Sequence, residues 1–71
     1  QTGEDKKALQ AFLDAEKIDP ADVIVLGNIG KWYAEHGDTK NAKKYYKKML
    51  KNPDTRVQEF ARKRLDALDK K

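Results

Sequence analysis

The feature that most constrains this 71-residue chain is an internal repeat of apolar residues. Five apolar pairs stand 34 positions apart: Ala8 and Ala42, Phe12 and Tyr46, Ala15 and Met49, Val23 and Val57, Leu26 and Phe60. A fixed period of this length indicates stacked copies of one supersecondary unit, in which each copy covers the apolar face of its neighbour. The pattern therefore favours a fragment of a repetitive helical stack over a globule with a central core.

Four segments carry apolar residues at three- and four-residue steps, which is typical of helices with one buried face. The predicted helices span 4–18, 21–36, 39–51 and 54–68. The predicted inner faces are Ala8, Leu9, Ala11, Phe12, Ala15 and Ile18 in the first helix, Val23, Leu26, Ile29, Gly30 and Tyr33 in the second, Ala42, Tyr45, Tyr46, Met49 and Leu50 in the third, and Val57, Phe60, Ala61, Arg64, Leu65 and Leu68 in the fourth. The β-branched run at positions 23–26 would also suit a strand, but its continuation to Tyr33 favours a helix.

Turn residues separate the four segments. We expect Gly37 to take the left-handed conformation that ends a helix, and Asp38 or Thr39 to cap the next helix. Pro20 and Pro53 are expected to open the helices that follow them.

Gly30 is a candidate for close helix packing. A glycine inside a helix costs about 1 kcal/mol relative to alanine, and a tolerated cost of this kind usually reflects close backbone approach. We interpret Gly30 as the point where the partner helix comes nearest.

The stretch Leu26-x-x-Ile29-Gly30-x-x-Tyr33, continued by Ala42-x-x-x-Tyr46 and Pro53, resembles the tetratricopeptide repeat (TPR) pattern W-x2-L-G-x2-Y…A-x3-F…P. Two positions depart from that pattern: Leu26 replaces an aromatic residue, and Met49 stands where a small residue is usual. The resemblance implies an all-α fold of four antiparallel helices in a right-handed stack. Residues 4–18 would be the second helix of a preceding repeat, 21–52 a complete repeat, and 54–68 a C-terminal capping helix. Another helical-hairpin repeat, including a HEAT-like one, and an unrelated four-helix bundle remain alternatives.

In TPR proteins the first helix of each hairpin lines a groove that binds peptides. The resemblance therefore implies a non-catalytic protein-interaction scaffold, whose groove would be faced by Ile24, Gly27, Asn28, Lys31 and Glu35. Asn28 matches a position where peptide-binding members place an asparagine that bonds the ligand backbone, and Lys31 is placed to pair with a carboxylate. One complete repeat is too short to assemble the family's clamp for C-terminal carboxylates.

A basic surface is the alternative binding site. The net charge is +4, and six lysines share one face of the third predicted helix: Lys40, Lys43, Lys44, Lys47, Lys48 and Lys51. Such a face could bind nucleic acid or another anionic partner. Nucleic-acid binders usually add arginine and accessible aromatic residues, whereas Tyr45 and Tyr46 are predicted to lie in the core. A solvated surface is therefore the favoured interpretation.

The composition offers little for catalysis or for cofactors. The chain has no cysteine and a single histidine, His36, so we predict no catalytic residue, no metal and no cofactor. No apolar run approaches the roughly 20 residues that cross a bilayer, and the N-terminal residues do not resemble a signal peptide. Trp32 is expected to pack on the first helix rather than to anchor a ligand.

The first helix is expected to lack a neighbour on one side. Leu9 and Leu13 would then be partly exposed, which predicts marginal stability or weak self-association. A strict monomer that melts cooperatively above about 70 °C would contradict this expectation.

Overall fold

The chain folds into four consecutive helices. The computed structural model describes the backbone of residues 2–70 and the side chains of residues 5–70. Its helices are α1 (Thr2–Ile18), α2 (Val23–Glu35), α3 (Thr39–Met49) and α4 (Thr55–Asp69). Residues 2–70 contain no strand, and positions 23–26 form the first turn of α2. The predicted all-α fold is therefore confirmed. None of these helices is long and apolar enough to cross a membrane.

An aspartate caps the N-terminus of each of the last three helices. The carboxylates of Asp22, Asp38 and Asp54 accept hydrogen bonds of 3.0, 3.1 and 2.9 Å from backbone N–H groups in the first turn. These bonds satisfy donors that a helix start otherwise leaves without partners. The prediction that Pro20 and Pro53 open helices was wrong, because each proline lies before the capping aspartate.

Gly37 ends α2 as predicted. Its φ angle is +79°, in the left-handed region that favours glycine. The N–H of Gly37 donates to the carbonyl of Ala34, and the N–H of Asp38 donates to the carbonyl of Tyr33 at 2.8 Å. This double bonding is the Schellman arrangement, which reverses the chain sharply. Asp38 therefore closes α2 with its backbone and opens α3 with its side chain.

The buried core lies mainly between α2 and α3. Its buried aliphatic and aromatic side chains are Leu26, Ile29, Ala42, Tyr45, Tyr46, Met49 and Ala61. The outer helices add half-buried residues, with α1 packed mainly on α2 and α4 mainly on α3. The Cα atoms span 35 × 32 × 15 Å, so the molecule is a thin slab. Because the slab is thin, each outer helix keeps one face in solvent.

Gly30 is in close contact with α3, but the group that lies against it is a side chain and not the helix backbone that the sequence interpretation expected. A Cβ atom at Gly30 would lie 2.9 Å from Cζ of Tyr46. That distance is shorter than any normal carbon contact. The phenol ring of α3 therefore occupies the space that a side chain on α2 would need.

The outer helices bury less than the sequence pattern predicts. Ile18 is 86% exposed, and Ala8 and Ala11 are also exposed. On α4, Phe60 is 40% exposed and Arg64 is exposed. A periodic apolar face is buried only as far as its neighbours reach, and in residues 2–70 each of these helices packs mainly against one other helix.

Candidate functional site

A groove runs between α2 and α4 across the surface of α3. We call it the α2–α4 groove. Its wider part encloses about 540 Å³ and continues past Lys31 and Arg64 into a second part of about 320 Å³. The residues that line it are Val23, Ile24, Gly27, Asn28, Lys31, Ala34 and Glu35 from α2, Tyr46 and Met49 from α3, and Asp54, Arg56, Val57, Phe60, Arg64, Ala67 and Leu68 from the α4 side.

The floor of the groove is apolar and firmly held. Tyr46 is 2% exposed and Met49 is 4% exposed, and both lie between the two walls. The Tyr46 ring packs edge-on against Phe60, with ring centres 6.3 Å apart. Burial raises the pKa of Tyr46 above its ordinary value of 10.0. The phenol therefore stays neutral in the folded protein at physiological pH, and the floor carries no charge.

The walls expose apolar side chains beside polar ones. Ile24 is 73% exposed and lines the groove with Phe60. The Arg64 guanidinium carbon lies 5.0 Å from the centre of the Phe60 ring, which extends the aromatic surface with a cation. The site therefore combines exposed apolar surface with basic groups, as binding surfaces commonly do.

The residues predicted from the resemblance lie along this groove. Ile24, Asn28 and Lys31 line its wider part, and Glu35 lines the end beyond Lys31. The wall contributed by α4 was not predicted. The sequence held one indication of this wall. Arg64 interrupts the otherwise apolar face of the fourth helix, and a charged residue there indicates that this part of the face is not buried.

The lysine face of α3 is solvated and partly neutralised. Lys48 pairs with Glu16 of α1 at 2.8 Å, and Lys43 pairs with Asp69 of α4. Tyr45 is buried beneath this face, where its hydroxyl donates to Glu16 at 3.3 Å. No accessible aromatic ring accompanies the lysines Lys40, Lys43, Lys44, Lys47, Lys48 and Lys51 in the part of the chain that the structure describes.

Trp32 packs on α1, as predicted. Its indole Nε1 donates a hydrogen bond of 2.9 Å to the backbone carbonyl of Asp5. The His36 ring stacks on the indole with centres 3.8 Å apart, and its Nε2 lies 3.5 Å from the Asp5 carboxylate. Trp32 and His36 therefore hold α1 against α2 and lie outside the α2–α4 groove.

The described side chains contain no group of three or more His, Asp or Glu residues that could hold a metal ion.

Comparison of the chain with protein-family models, with curated proteins and with solved structures returned no match. The inference about function therefore depends on the geometry of the α2–α4 groove and on the sequence pattern.

Proposed function

We propose that this chain is a non-catalytic, TPR-like binding module that holds a peptide segment of a partner protein in the α2–α4 groove. The observation that carries the proposal is the position of its exposed apolar residues. Of the three large apolar side chains exposed among the described residues, Ile24 and Phe60 line this groove, and only Ile18 lies elsewhere. Exposed apolar surface in a groove with a polar rim is typical of protein-interaction sites.

The rim of the groove suits a peptide backbone. Asn28 is exposed on the groove, and its amide can both donate to and accept from a bound main chain. Lys31 and Arg64, which form no ion pair among the described side chains, add two exposed cations to the rim of a molecule with a net charge of +4. Complementary charge would speed encounter with an acidic segment and would select against basic ones.

Selection from a phage-displayed library of random nonapeptides on the immobilised chain would test the proposal. Enriched peptides would then be labelled with fluorescein and titrated by anisotropy. Ile24→Asp should weaken binding by about tenfold or more, because burying an isoleucine side chain is worth about 1.5–3 kcal/mol. The matched control is Ile18→Asp, which changes an isoleucine that is 86% exposed and lies outside the groove, and it should leave the Kd unchanged. Failure to enrich any peptide, or equal binding by the Ile24→Asp variant, would overturn the proposal.

Binding of nucleic acid by the lysine face of α3 is the competing function. Lys43 and Lys48 are already paired with carboxylates, which reduces the charge available to phosphates. A short labelled RNA should therefore bind weakly or not at all at 150 mM salt. Tight RNA binding that falls by orders of magnitude between about 50 and 200 mM salt would favour this function instead.

A further inference from the structure

The six lysines on the outer side of α3 fall into two groups. Lys43 and Lys48 are half-buried, and they pair with Asp69 of α4 and with Glu16 of α1. The other four, which we call the lysine ridge, are exposed: Lys40, Lys44, Lys47 and Lys51. None of these four joins an ion pair among the side chains of residues 5–70. The neighbouring helices therefore neutralise the two edges of the lysine face, and the remaining charge is concentrated on the ridge.

The lysine ridge is straight and narrow. Its residues follow one another at steps of four, three and four. At roughly 100° per helical residue, all of them lie within about 60° around the helix axis. Lys51 stands just after α3, but its N–H donates to the carbonyl of Lys48, so the helical path continues to the end of the ridge. The ridge is about 16 Å long, with one lysine about every 5–6 Å.

The lysine ridge and the α2–α4 groove lie on opposite sides of α3. Tyr46 and Met49, which form the floor of the groove, are centred about 160° around the helix from the ridge. Tyr45, over whose ring Lys44 and Lys48 lie, is 7% exposed. The large apolar side chains that are exposed among the described residues belong to the other helices: Ile18, Ile24 and Phe60. The ridge therefore presents ammonium groups to solvent without an apolar or aromatic side chain beside them.

The chemistry of the ridge favours one kind of anionic partner. Protein interfaces are depleted in lysine. Proteins that bind nucleic acid usually add arginine, whose planar guanidinium bonds phosphate at two points, and accessible aromatic rings for stacking. The ridge has neither of these. A lysine ammonium is a compact, strongly hydrated point charge, so it is attracted by a diffuse negative potential without a close fit. The surface of an anionic bilayer provides such a potential.

We propose that the lysine ridge holds this chain against an anionic lipid surface by charge alone, with α3 parallel to the surface and the α2–α4 groove facing away from it. A straight row of lysines on a rigid helix can approach a flat surface together. All four ammonium groups then lie within one Debye length of the headgroups, which is about 8 Å at physiological salt. Because the ridge carries no apolar side chain, the chain stays at the level of the headgroups and does not insert.

The expected association is weak and reversible. Each lysine near an anionic surface raises partitioning by about fivefold, so four lysines raise it by about 600-fold. The inference is independent of the proposed peptide binding, because the groove and the ridge use different residues on opposite sides of α3. Each can therefore fail without the other.

Co-sedimentation with sucrose-loaded vesicles would test the proposal. The chain should sediment with vesicles that contain about 30% phosphatidylserine and not with vesicles of phosphatidylcholine alone. Binding should be lost between about 50 and 300 mM salt, because the Debye length shortens. Binding to neutral vesicles, or binding that persists at high salt, would show insertion of apolar groups and would overturn the proposal. Tighter binding to a single-stranded RNA than to the anionic vesicles at about 150 mM salt would assign the ridge to nucleic acid and would also overturn it.

Two matched double variants distinguish the ridge from the net charge. Lys44→Gln/Lys47→Gln removes two charges from the ridge and should weaken partitioning by about 25-fold. The control Lys7→Gln/Lys63→Gln removes two charges from exposed lysines of α1 and α4. It should change partitioning by less than about threefold, because charges beyond a Debye length from the surface are screened. All four side chains are exposed, so circular dichroism should show the same helix content in both variants. Equal losses of partitioning would mean that net charge drives binding, which would refute the role of the ridge.

Amine labelling tests the orientation in the unmodified chain. Acetylation by sulfosuccinimidyl acetate, followed by mass spectrometry, should slow at Lys44 and Lys47 when the phosphatidylserine vesicles are present. The rate should stay unchanged at Lys31, which lines the groove on the other side of α3. Equal protection of Lys31 and Lys44 would place the groove against the lipid and would overturn the proposed orientation.

Discussion

Replacing the two glycines of α2 separately by alanine gives the sharpest test of the packing between α2 and α3. Both substitutions should gain about 1 kcal/mol of helix propensity. At Gly30 the new Cβ would lie 2.9 to 3.1 Å from three carbon atoms of the Tyr46 ring. That ring is 2% exposed and is confined by Phe60, so it cannot swing into solvent. Overpacking of this kind costs about 1–3 kcal/mol.

The two alanine variants should therefore differ in stability. Gly30→Ala should lower the free energy of unfolding by about 0–2 kcal/mol, whereas Gly27→Ala, where an added Cβ makes only ordinary contacts, should raise it by up to about 1 kcal/mol. The gap of about 1–3 kcal/mol corresponds to at least 4 °C in Tm for a domain of this size. Gly30→Leu should cost several kcal/mol, which is a large part of the about 4–11 kcal/mol expected for 71 residues.

Urea unfolding followed by far-UV circular dichroism would measure these differences. A double-mutant cycle with Tyr46→Leu assigns the cost to the contact, because the smaller side chain leaves room for the Gly30→Ala methyl group. The alanine penalty should shrink or vanish in the Tyr46→Leu background. Equal stability of Gly27→Ala and Gly30→Ala, or a penalty independent of Tyr46, would refute the proposed reason for the glycine.

Two further predictions concern the core and the contact between α1 and α2. Burial raises the pKa of Tyr45 and of Tyr46, and for Tyr45 the charge of Glu16 raises it further. The folded state therefore keeps protons on these phenols that the unfolded chain loses near pH 10, so the free energy of unfolding should fall as the pH rises above 10. Absorbance at 295 nm measures tyrosinate formation. A rise near pH 10 that accounts for all three tyrosines of the folded protein would contradict this prediction. Trp32→Phe keeps an aromatic ring but removes the N–H that donates to the Asp5 carbonyl. In urea titrations it should lower the free energy of unfolding by about 0.5–1.5 kcal/mol. An unchanged value would mean that this bond does not stabilise the docking of α1 on α2.

Much of the fold was predictable because it depends on local interactions. The number and order of the helices follow from apolar spacing, and the end of α2 follows from the ability of Gly37 to adopt a positive φ angle. Helix starts were less predictable. Proline and aspartate both favour the first positions of a helix, so the sequence did not show which of them begins α4. In the structure the Asp54 carboxylate accepts a hydrogen bond from the backbone N–H of Arg56, which makes Asp54 the capping residue and leaves Pro53 before the helix.

The sequence alone determined that apolar faces recur every 34 residues, that four helices form, and that Ile24, Asn28 and Lys31 share one side of α2. Only the tertiary structure decided which faces are buried. Ile18 belongs to the same periodic pattern as Phe12, yet it stands in solvent. The tertiary structure also distinguished the two glycines, which look alike in sequence. Helical periodicity states which residues lie together on one face, whereas burial and close approach depend on what a distant part of the chain places opposite that face.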